Sequence, residues 1–337
     1  MKKLRSLQLI AWLVGVLILA SGCVTRLWSA EEQMLPGVSR LDPGGVYDYA
    51  DPVWSPDGTR IAYTRYQVVS HPWSWREGSG EIFVMDLATR QVLQLTHNSM
   101  DDYLPHWAPD GQRLVYATKE ISYPSQNSGP VYEYSLRIVN SDGSGDTALF
   151  ACSAGCGWPD WSPAGDRIAF SESATRRAEG DDQRLLSEIY LINPDGTGLT
   201  RLTQGENDLI APRWSPDGRR IVAENFTDHQ IVIVDVPSGV ETPVGPNPAS
   251  QPVWSPDGTG IVFEGYEPVS QRFKLYYLNL GDQSVTPYFT ASINDFDLLS
   301  VDGHPDWSPD VSELVLKAHL AVPPGLYQAD LSILRPR

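Results

Sequence analysis

A five-residue sequence recurs six times along the chain and constrains the fold more than any other feature. WSPDG begins at Trp54, Trp214 and Trp254, and the variants WAPDG, WSPAG and WSPDV begin at Trp107, Trp161 and Trp307. Ser, Pro and Gly at the first, second and fourth positions of the turn suit a type I turn, and short apolar stretches flank each copy. Each copy therefore predicts a tight β-hairpin. The recurring aspartates are turn residues on this interpretation rather than catalytic ones; they are Asp57, Asp110, Asp217 and Asp257.

The spacing of the six tryptophans predicts the architecture. Successive copies are 53, 54, 53, 40 and 53 residues apart, a period typical of propellers and solenoids. Each unit contains four strand candidates, and the chain after the leader shows no helical periodicity. We therefore predict an all-β fold, a six-bladed β-propeller of four-stranded antiparallel blades with the repeated Trp in the core between blades. Residues 37–42 are predicted to form the outer strand of the last blade and to close the ring.

The repeat also resembles that of a known family. The pattern P-x-W-S-P-D-G-x-x-I-x-[FY], followed by a strand such as residues 189–193 and by the ending Leu202-Thr203, resembles the TolB-type propeller repeat over roughly residues 37–334. The resemblance implies the fold, whereas proteins with this repeat include translocation proteins, peptidases and lipoproteins. We expect neither the additional N-terminal domain of TolB nor the hydrolase domain of the peptidases in this chain.

The first residues are typical of an export signal. Lys2, Lys3 and Arg5 precede an apolar run that ends in LASGC at Cys23. This ending resembles the bacterial lipobox, in which the cysteine carries lipid; a plain secretory signal and an uncleaved anchor are the alternatives. We predict a signal peptide over residues 1–22, a linker over 23–36 and a propeller domain over 37–337, facing the periplasm or the cell exterior.

The charge of the chain restricts its partners. Removal of the three basic residues of the leader leaves 22 basic and 42 acidic residues, a formal charge of −20. A nucleic-acid partner is thus not expected, and the membrane is expected to be reached through the lipid on Cys23. The predicted partner of this monomer is an envelope protein or peptide, or a glycan.

Two further cysteines lie in the sequence CSAGC. Cys152 and Cys156 are predicted to form a local disulfide, because an exported protein meets an oxidising environment. A metal site is the alternative reading, with His106 and Asp160 as conceivable further ligands.

The two faces of the predicted ring differ in their loops. One face contains the short, similar turns of the repeat, and the other contains long, irregular connections at residues 67–80, 120–130, 172–187, 267–272 and 291–303. Variable loops on a repetitive scaffold are where binding usually occurs, so we predict that the irregular face is the functional one.

Polar residues gather at the predicted channel mouth on this face, five or six residues before the repeated Trp or close to it. The carboxylates either cap their own loops or form a partial ring of negative charge that binds a cation or a basic peptide. The candidate binding residues are Asp48, Asp101, Asp102, Tyr103, Asp208, Asp302 and His304.

Aromatic residues add to these candidates. Trp73 and Trp75 lie in the first long loop and either anchor a partner or pack onto the scaffold. Tyr103 and Trp158 precede inner strands, where packing in the core is the alternative to binding. For His304, the alternative to binding is that hydrogen bonds hold its side chain within its own loop.

No catalytic sequence motif occurs in the chain after the leader, and the six histidines lack ligand spacing. We therefore predict a non-enzymatic binding protein without a cofactor. The alternative is a metal-assisted carbohydrate lyase or hydrolase at the same face, with a divalent cation held by the rim aspartates and His106 or His304 as the base.

Overall fold

A computed structural model describes residues 38–41, 47–67, 79–125, 129–177, 183–205, 207–267, 272–288, 305–310, 313–318 and 325–330. The predicted leader with Cys23, the linker, Trp73, Trp75, Asp302 and His304 lie outside these residues. No helix in the described part of the chain is long and apolar enough to cross a membrane.

Consecutive strands form five four-stranded antiparallel blades. The first blade comprises β2 (Tyr47–Trp54), β3 (Arg60–Gln67), β4 (Glu81–Asp86) and β5 (Val92–Gln94), and the second β6 (Asp101–Trp107), β7 (Arg113–Ser122), β8 (Val131–Asn140) and β9 (Thr147–Ala151). The third comprises β10 (Cys156–Trp161), β11 (Ile168–Arg177), β12 (Gln183–Ile192) and β13 (Thr200–Arg201). The fourth comprises β14 (Leu209–Trp214), β15 (Arg220–Asn225), β16 (Gln230–Asp235) and β17 (Glu241–Val244), and the fifth β18 (Ala249–Trp254), β19 (Gly260–Glu267), β20 (Arg272–Asn279) and β21 (Val285–Pro287).

A further sheet joins the two ends of the described chain, and we call it the terminal sheet. Its strands are β22 (Asp306–Trp307), β23 (Glu313–Ala318), β24 (Gly325–Asp330) and the first strand, β1 (Val38–Arg40). β1 pairs antiparallel with β24, with Val38 opposite Ala329 and Arg40 opposite Tyr327. The predicted all-β propeller of four-stranded antiparallel blades is confirmed.

The inner strands of neighbouring sheets contact one another around the axis: β2 with β6, β6 with β10, β10 with β14, β14 with β18, and β22 with β2. The repeated tryptophans lie in the apolar layers between sheets. Trp107 of the second blade packs in a buried cluster with Val53 and Ile82 of the first, and Trp54 packs with Leu41 and with Val315 of the terminal sheet. The ring of Trp307 meets that of Tyr288 edge to face at 5.7 Å.

The WSPDG turns hold the ring together on one face, which we call the turn face. Within the first turn, Asp57 Oδ1 accepts hydrogen bonds from Ser55 Oγ at 2.6 Å and from the Thr59 N–H at 3.0 Å. Gly58 has a φ of 71°, which glycine adopts without strain. A carbon added at Gly58 would lie 3.6 Å from Pro309 of the terminal sheet, so neighbouring turns touch.

An arginine after the turn reaches the next blade. The guanidinium of Arg60 lies 4.6 Å from the ring centroid of Trp107 and donates to the Gly111 carbonyl at 3.1 Å. Arg113 and Arg220 stack in the same way on Trp161 and Trp254. These contacts tie consecutive blades together through cation–π attraction and hydrogen bonding.

The irregular face differs from the expectation of long loops at two places. β7 and β8 continue their pairing to Ser122 and Val131, and β11 and β12 to Arg177 and Gln183. Much of residues 120–130 and 172–187 is therefore extended hairpin. Successive pairings of backbone groups satisfy N–H and C=O donors and acceptors that a loop would leave to solvent.

Candidate functional site

Each inner strand of the five blades bends at a β-bulge just before its Trp. The residue three positions before the Trp has φ between 51° and 55° although it is not glycine, a conformation that costs roughly 1 kcal/mol. A proline follows it, and the pairing register with the second strand shifts at the same point. These residues are Asp51, Leu104, Trp158, Ala211 and Gln251.

The bulges bring the residues that directly precede the Trp together near the axis. His106 Nε2 lies 2.7 Å from Asp160 Oδ1, and Arg213 Nη1 lies 3.4 Å from the same oxygen. Asp160 Oδ2 accepts the Trp214 N–H at 2.6 Å. Burial opposes the ionised form, but His106 and Arg213 hold the pKa of Asp160 below its usual value. We call these side chains, together with Asp306, the axial cluster.

The axial cluster also binds the backbone of neighbouring blades. Asp306 Oδ2 accepts the Trp54 N–H at 2.7 Å, and His106 Nδ1 accepts the Trp161 N–H at 3.5 Å. His106 is thus engaged on both nitrogens, which argues against the base role considered from sequence.

A cavity of about 450 Å³ opens on the irregular face between the fourth and fifth blades, and we call it the interblade pocket. It lies beside the short connection from β15 to β16 and the end of the connection from β17 to β18. Its lining is partly aromatic and partly polar, as is usual for ligand pockets. The lining residues are Trp158, Ile210, Ala211, Glu224, Phe226, His229, Pro248, Ala249, Ser250, Gln251 and Tyr266.

The polar floor of the pocket centres on Glu224. This residue is only 4% exposed; its Oε2 accepts the Gln251 N–H at 3.1 Å, and its Oε1 lies 3.4 Å from His229 Nδ1. Burial raises the pKa of Glu224, against the opposing effect of Gln251 and His229. The amide oxygen of Gln251 is buried and accepts no hydrogen bond from the described part of the chain. The pocket therefore contains acceptors that a ligand with N–H groups would satisfy.

Aromatic side chains form the rim of the pocket. Phe226 is 55% exposed and Tyr266 is 39% exposed. The ring of Phe226 meets that of His229 edge to face at 5.8 Å. Trp158, for which core packing was the alternative to binding, lines the pocket and is half-buried. Exposed aromatic surface beside a cavity is typical of binding sites.

The predicted rim aspartates bind backbone groups. Asp101 Oδ1 accepts the Gly80 N–H and Asp208 Oδ1 the Ser187 N–H, both at 2.8 Å, and each bond crosses from one blade to the preceding one. Asp101 also lies 3.4 Å from Lys119 Nζ. Asp48 Oδ1 accepts the N–H of the adjacent residue, Tyr49, at 3.0 Å. These contacts favour a capping role over a ring of free negative charge.

Of two other candidates in the second blade, Asp102 is buried and Tyr103 is partly buried. Asp102 accepts a hydrogen bond from Asn98 Nδ2 at 2.8 Å, and burial raises its pKa to about 6. Tyr103 packs against the apolar cluster that contains Trp161 and Phe170, and burial raises the pKa of its hydroxyl. Neither residue lines the interblade pocket.

Cys152 and Cys156 are joined by a disulfide at the start of the third blade, with their Cα atoms 5.9 Å apart. In the described part of the chain, no three His, Cys, Asp or Glu side chains are grouped so that they could hold a metal ion.

The interblade pocket was missed by reasoning from loop length. It lies where the connection from β15 to β16 is short, the sequence FTDH at residues 226–229, and therefore does not cover the junction. An exposed Phe and a His in a short connection were the available signal.

Comparisons with known proteins agree with this fold. No family model matches the chain. It is 27% identical over 216 residues to the uncharacterized peptidase YuxL of Bacillus subtilis, a match that covers 56% of this chain and 31% of that protein. It is 32% identical over 166 residues to a TolB homolog of Chlorobium luteolum, covering 49% of this chain and 33% of the homolog. The chain thus matches about a third of the length of each of these relatives.

Solved structures resemble the fold over most of the chain. An oligogalacturonate lyase in complex with manganese has a TM-score of 0.56 at 16% identity, covering 89% of this chain and 93% of the lyase. A putative TolB from Agrobacterium tumefaciens has a TM-score of 0.56 at 19% identity, covering 84% and 90%. At these identities the likeness shows the fold alone.

The comparisons contradict the prediction of a non-enzymatic protein. Propellers of this fold include a lyase, and one relative is named a peptidase, so the lack of a catalytic sequence motif does not set this chain apart from enzymes. The chain is thus a β-propeller that is similar in sequence to TolB homologs and in fold to a TolB structure.

Proposed function

We propose that this protein is an exported, lipid-anchored propeller that binds an envelope protein or peptide through the interblade pocket. The main support for this proposal is the pocket itself. In it, two exposed aromatic side chains surround a buried carboxylate and an unsatisfied amide oxygen. On the turn face, neighbouring turns touch and arginines stack on the next blade. Binding on the irregular face leaves these contacts intact.

The membrane anchor in this proposal is the lipid on Cys23. The sequence LASGC after a basic and apolar leader supports it, and a strongly acidic protein needs acyl chains to stay at an anionic surface. Labelling with a radioactive fatty acid tests the anchor: the wild-type protein should incorporate label and sediment with membranes, whereas Cys23→Ser should do neither. Label retained by Cys23→Ser would refute the assignment.

We also propose that the terminal sheet is the sixth blade and that β1 closes the ring. The pairing of β1 with β24 and the packing of Leu41 and Val315 around Trp54 support this closure. Closing a ring in this way removes an exposed sheet edge. A chain that begins at residue 48 should unfold at a markedly lower temperature than one that begins at residue 24; equal melting would refute the closure.

Crosslinking and capture from native membranes tests the binding function. The wild-type lipoprotein should recover a partner that the double variant Phe226→Ala/Tyr266→Ala does not. Tyr123→Ala is the matched control, because Tyr123 is 69% exposed at the end of β7 and lies outside the pocket. Equal recovery by the double variant and the control would move the binding site away from the pocket.

A second candidate is acid–base catalysis on a carbohydrate in the same pocket. It is favoured by the proximity of His229 and Glu224, since a carboxyl with a raised pKa can donate a proton that a neighbouring imidazole replaces. Turnover of oligogalacturonides and neutral oligosaccharides, with Mn²⁺ or with a chelator, tests this candidate. Turnover that Glu224→Gln abolishes would support it, and no turnover under any condition would reject it for these substrates.

A further inference from the structure

The polar groups of the interblade pocket include acceptors but no Lys or Arg side chain that could pair with them. Glu224 and Gln251 present acceptor oxygens, and no Lys or Arg is among the lining residues. Within the described residues, the buried amide oxygen of Gln251 accepts no hydrogen bond. Because buried acceptors are normally paired, an N–H donor of a bound ligand would satisfy this oxygen.

At another junction, a buried carboxylate has a cationic partner from within the chain. Glu188 is fully buried, and Arg201 Nη2 lies 2.7 Å from its Oε1. Glu224 is paired with His229, whose Nδ1 is 3.4 Å away and whose side chain is 54% exposed. Among the described residues, no Lys or Arg forms an ion pair with Glu224 as Arg201 does with Glu188.

The aromatic rim of the pocket also favours a cationic group with N–H donors. Trp158, Phe226 and Tyr266 line the pocket, and aromatic faces attract cations. The fold already stacks guanidinium groups on aromatic rings: Arg65 lies 3.5 Å from the ring centroid of Phe83 and 4.4 Å from that of Tyr47. The formal charge of −17 for the whole chain adds a long-range attraction for basic partners.

We infer that the interblade pocket binds an arginine side chain of a partner peptide. A guanidinium donates in a planar fork to Glu224 and the Gln251 oxygen while it stacks on the aromatic rim, and lysine provides no such fork. This inference rests on the proposed function and specifies the chemistry that the site recognises.

The test uses a short probe peptide with one chemical change. Acetyl-Gly-Arg-Gly-amide and its citrulline counterpart, which is neutral and nearly isosteric, are titrated into the mature protein and followed by NMR. The arginine peptide should bind at least tenfold more tightly than the citrulline peptide. Equal affinity, or no binding of either peptide, would overturn the inference.

Variants locate the effect. Glu224→Gln should weaken binding of the arginine peptide at least tenfold, and Tyr266→Ala, at a position that is 39% exposed, at least threefold. Glu264→Gln is the matched control, because Glu264 stands ten residues after its Trp like Glu224, is equally buried, and lies outside the pocket lining. Equal affinities for Glu224→Gln and Glu264→Gln would overturn the assignment.

The outcomes also separate this inference from the proposed function. Membrane capture that depends on Phe226 and Tyr266, together with indifference to citrulline or to Glu224→Gln, would reject arginine recognition and leave the binding function standing. Loss of both dependences would reject both.

Discussion

The junction between the first and second blades and the junction between the third and fourth share the same side-chain hydrogen bonds. They differ in the charged residues around these bonds. In the first junction Thr96 Oγ donates to Glu81 Oε2 at 2.7 Å and accepts the Ile82 N–H at 3.0 Å. In the third junction Thr203 and Glu188 make the same contact at 2.5 Å, and the Ile189 N–H donates to Thr203 at 3.0 Å. The blade repeat thus reproduces side-chain geometry to a few tenths of an ångström.

The residues around these shared hydrogen bonds differ in charge at two positions. Arg201 donates from Nε to the Thr203 carbonyl at 2.8 Å and pairs with Glu188, whereas Gln94 donates to the Thr96 carbonyl at 2.8 Å without a charge. Asp102 in the second blade stands where the fourth blade has Leu209. The first junction therefore holds two carboxyl groups without the arginine of the third.

The consequence is a difference in protonation. Burial, together with the nearby Asp102, raises the pKa of Glu81 to about 7, and burial raises that of Asp102 to about 6. The comparison teaches that the repeat preserves geometry while the charges at each junction vary independently. Substitutions at the two differing positions can therefore exchange the behaviour of the junctions.

The largest expected effect comes from Arg201→Gln, which gives the third junction the uncharged partner of the first. The substitution leaves the buried Glu188 without its cation, so the free energy of unfolding should fall by roughly 2–3 kcal/mol, a value reduced because Arg201 is partly exposed. Urea denaturation at pH 7.5 measures it, with the exposed Arg219→Gln as the control for loss of one charge. A loss equal to that of the control would show that the ion pair contributes nothing.

The second effect is a pH dependence confined to the first junction. Because the pKa of Glu81 is higher in the folded than in the unfolded protein, the folded state binds the extra proton, and the carboxyl destabilises the fold as pH rises from about 4.5 to 7. Glu81→Gln should therefore match the wild type near pH 4 and exceed its unfolding free energy by about 2 kcal/mol at pH 8, after allowance for partial exposure.

Denaturation curves of both proteins across this pH range provide the measurement. Asp102→Leu, which copies Leu209, should reduce the same pH dependence, because it removes the charge beside Glu81. A constant difference between Glu81→Gln and the wild type from pH 4 to 8 would contradict the assignment.

A smaller effect is expected when the cation of the third junction is introduced into the first. The hydrogen bond of Gln94 to the Thr96 carbonyl matches that of Arg201, so Gln94→Arg places a guanidinium beside Glu81. We expect a gain of about 1 kcal/mol at pH 8 and little at pH 5. The exposed Gln91→Arg adds the same charge nearby and controls for net charge; an equal gain in that variant would argue against a specific pair.

The turns and blades were predictable from sequence because their causes are local. Ser, Pro, Asp and Gly determine each hairpin within five residues, and even the third copy, in which Ala164 lacks a carboxylate, keeps its turn because Ser162 Oγ donates to Asp166 at 2.8 Å. The spacing between copies then determines four strands per unit.

The site was less predictable because its causes lie in different blades. The left-handed φ of Gln251 precedes a proline in what sequence alone assigns to a regular strand, and the acceptor it presents matters only beside Glu224 of another blade. Loop length directed attention to the irregular face, but the interblade pocket on that face opens where a loop is short.

The smallest expected effect concerns Asp101 and Asp208, which make the same backbone hydrogen bond in the two junctions. Asp101 and Asp208 each accept one backbone N–H of the preceding blade at 2.8 Å, so Asp101→Asn and Asp208→Asn, which keep an acceptor oxygen, should each cost about 0.5 kcal/mol. Asp101 also lies 3.4 Å from Lys119 Nζ, a partly exposed pair that adds little. Because both aspartates are occupied by backbone, neither substitution should change partner capture. Loss of capture with unchanged stability would instead restore these carboxylates to the binding surface.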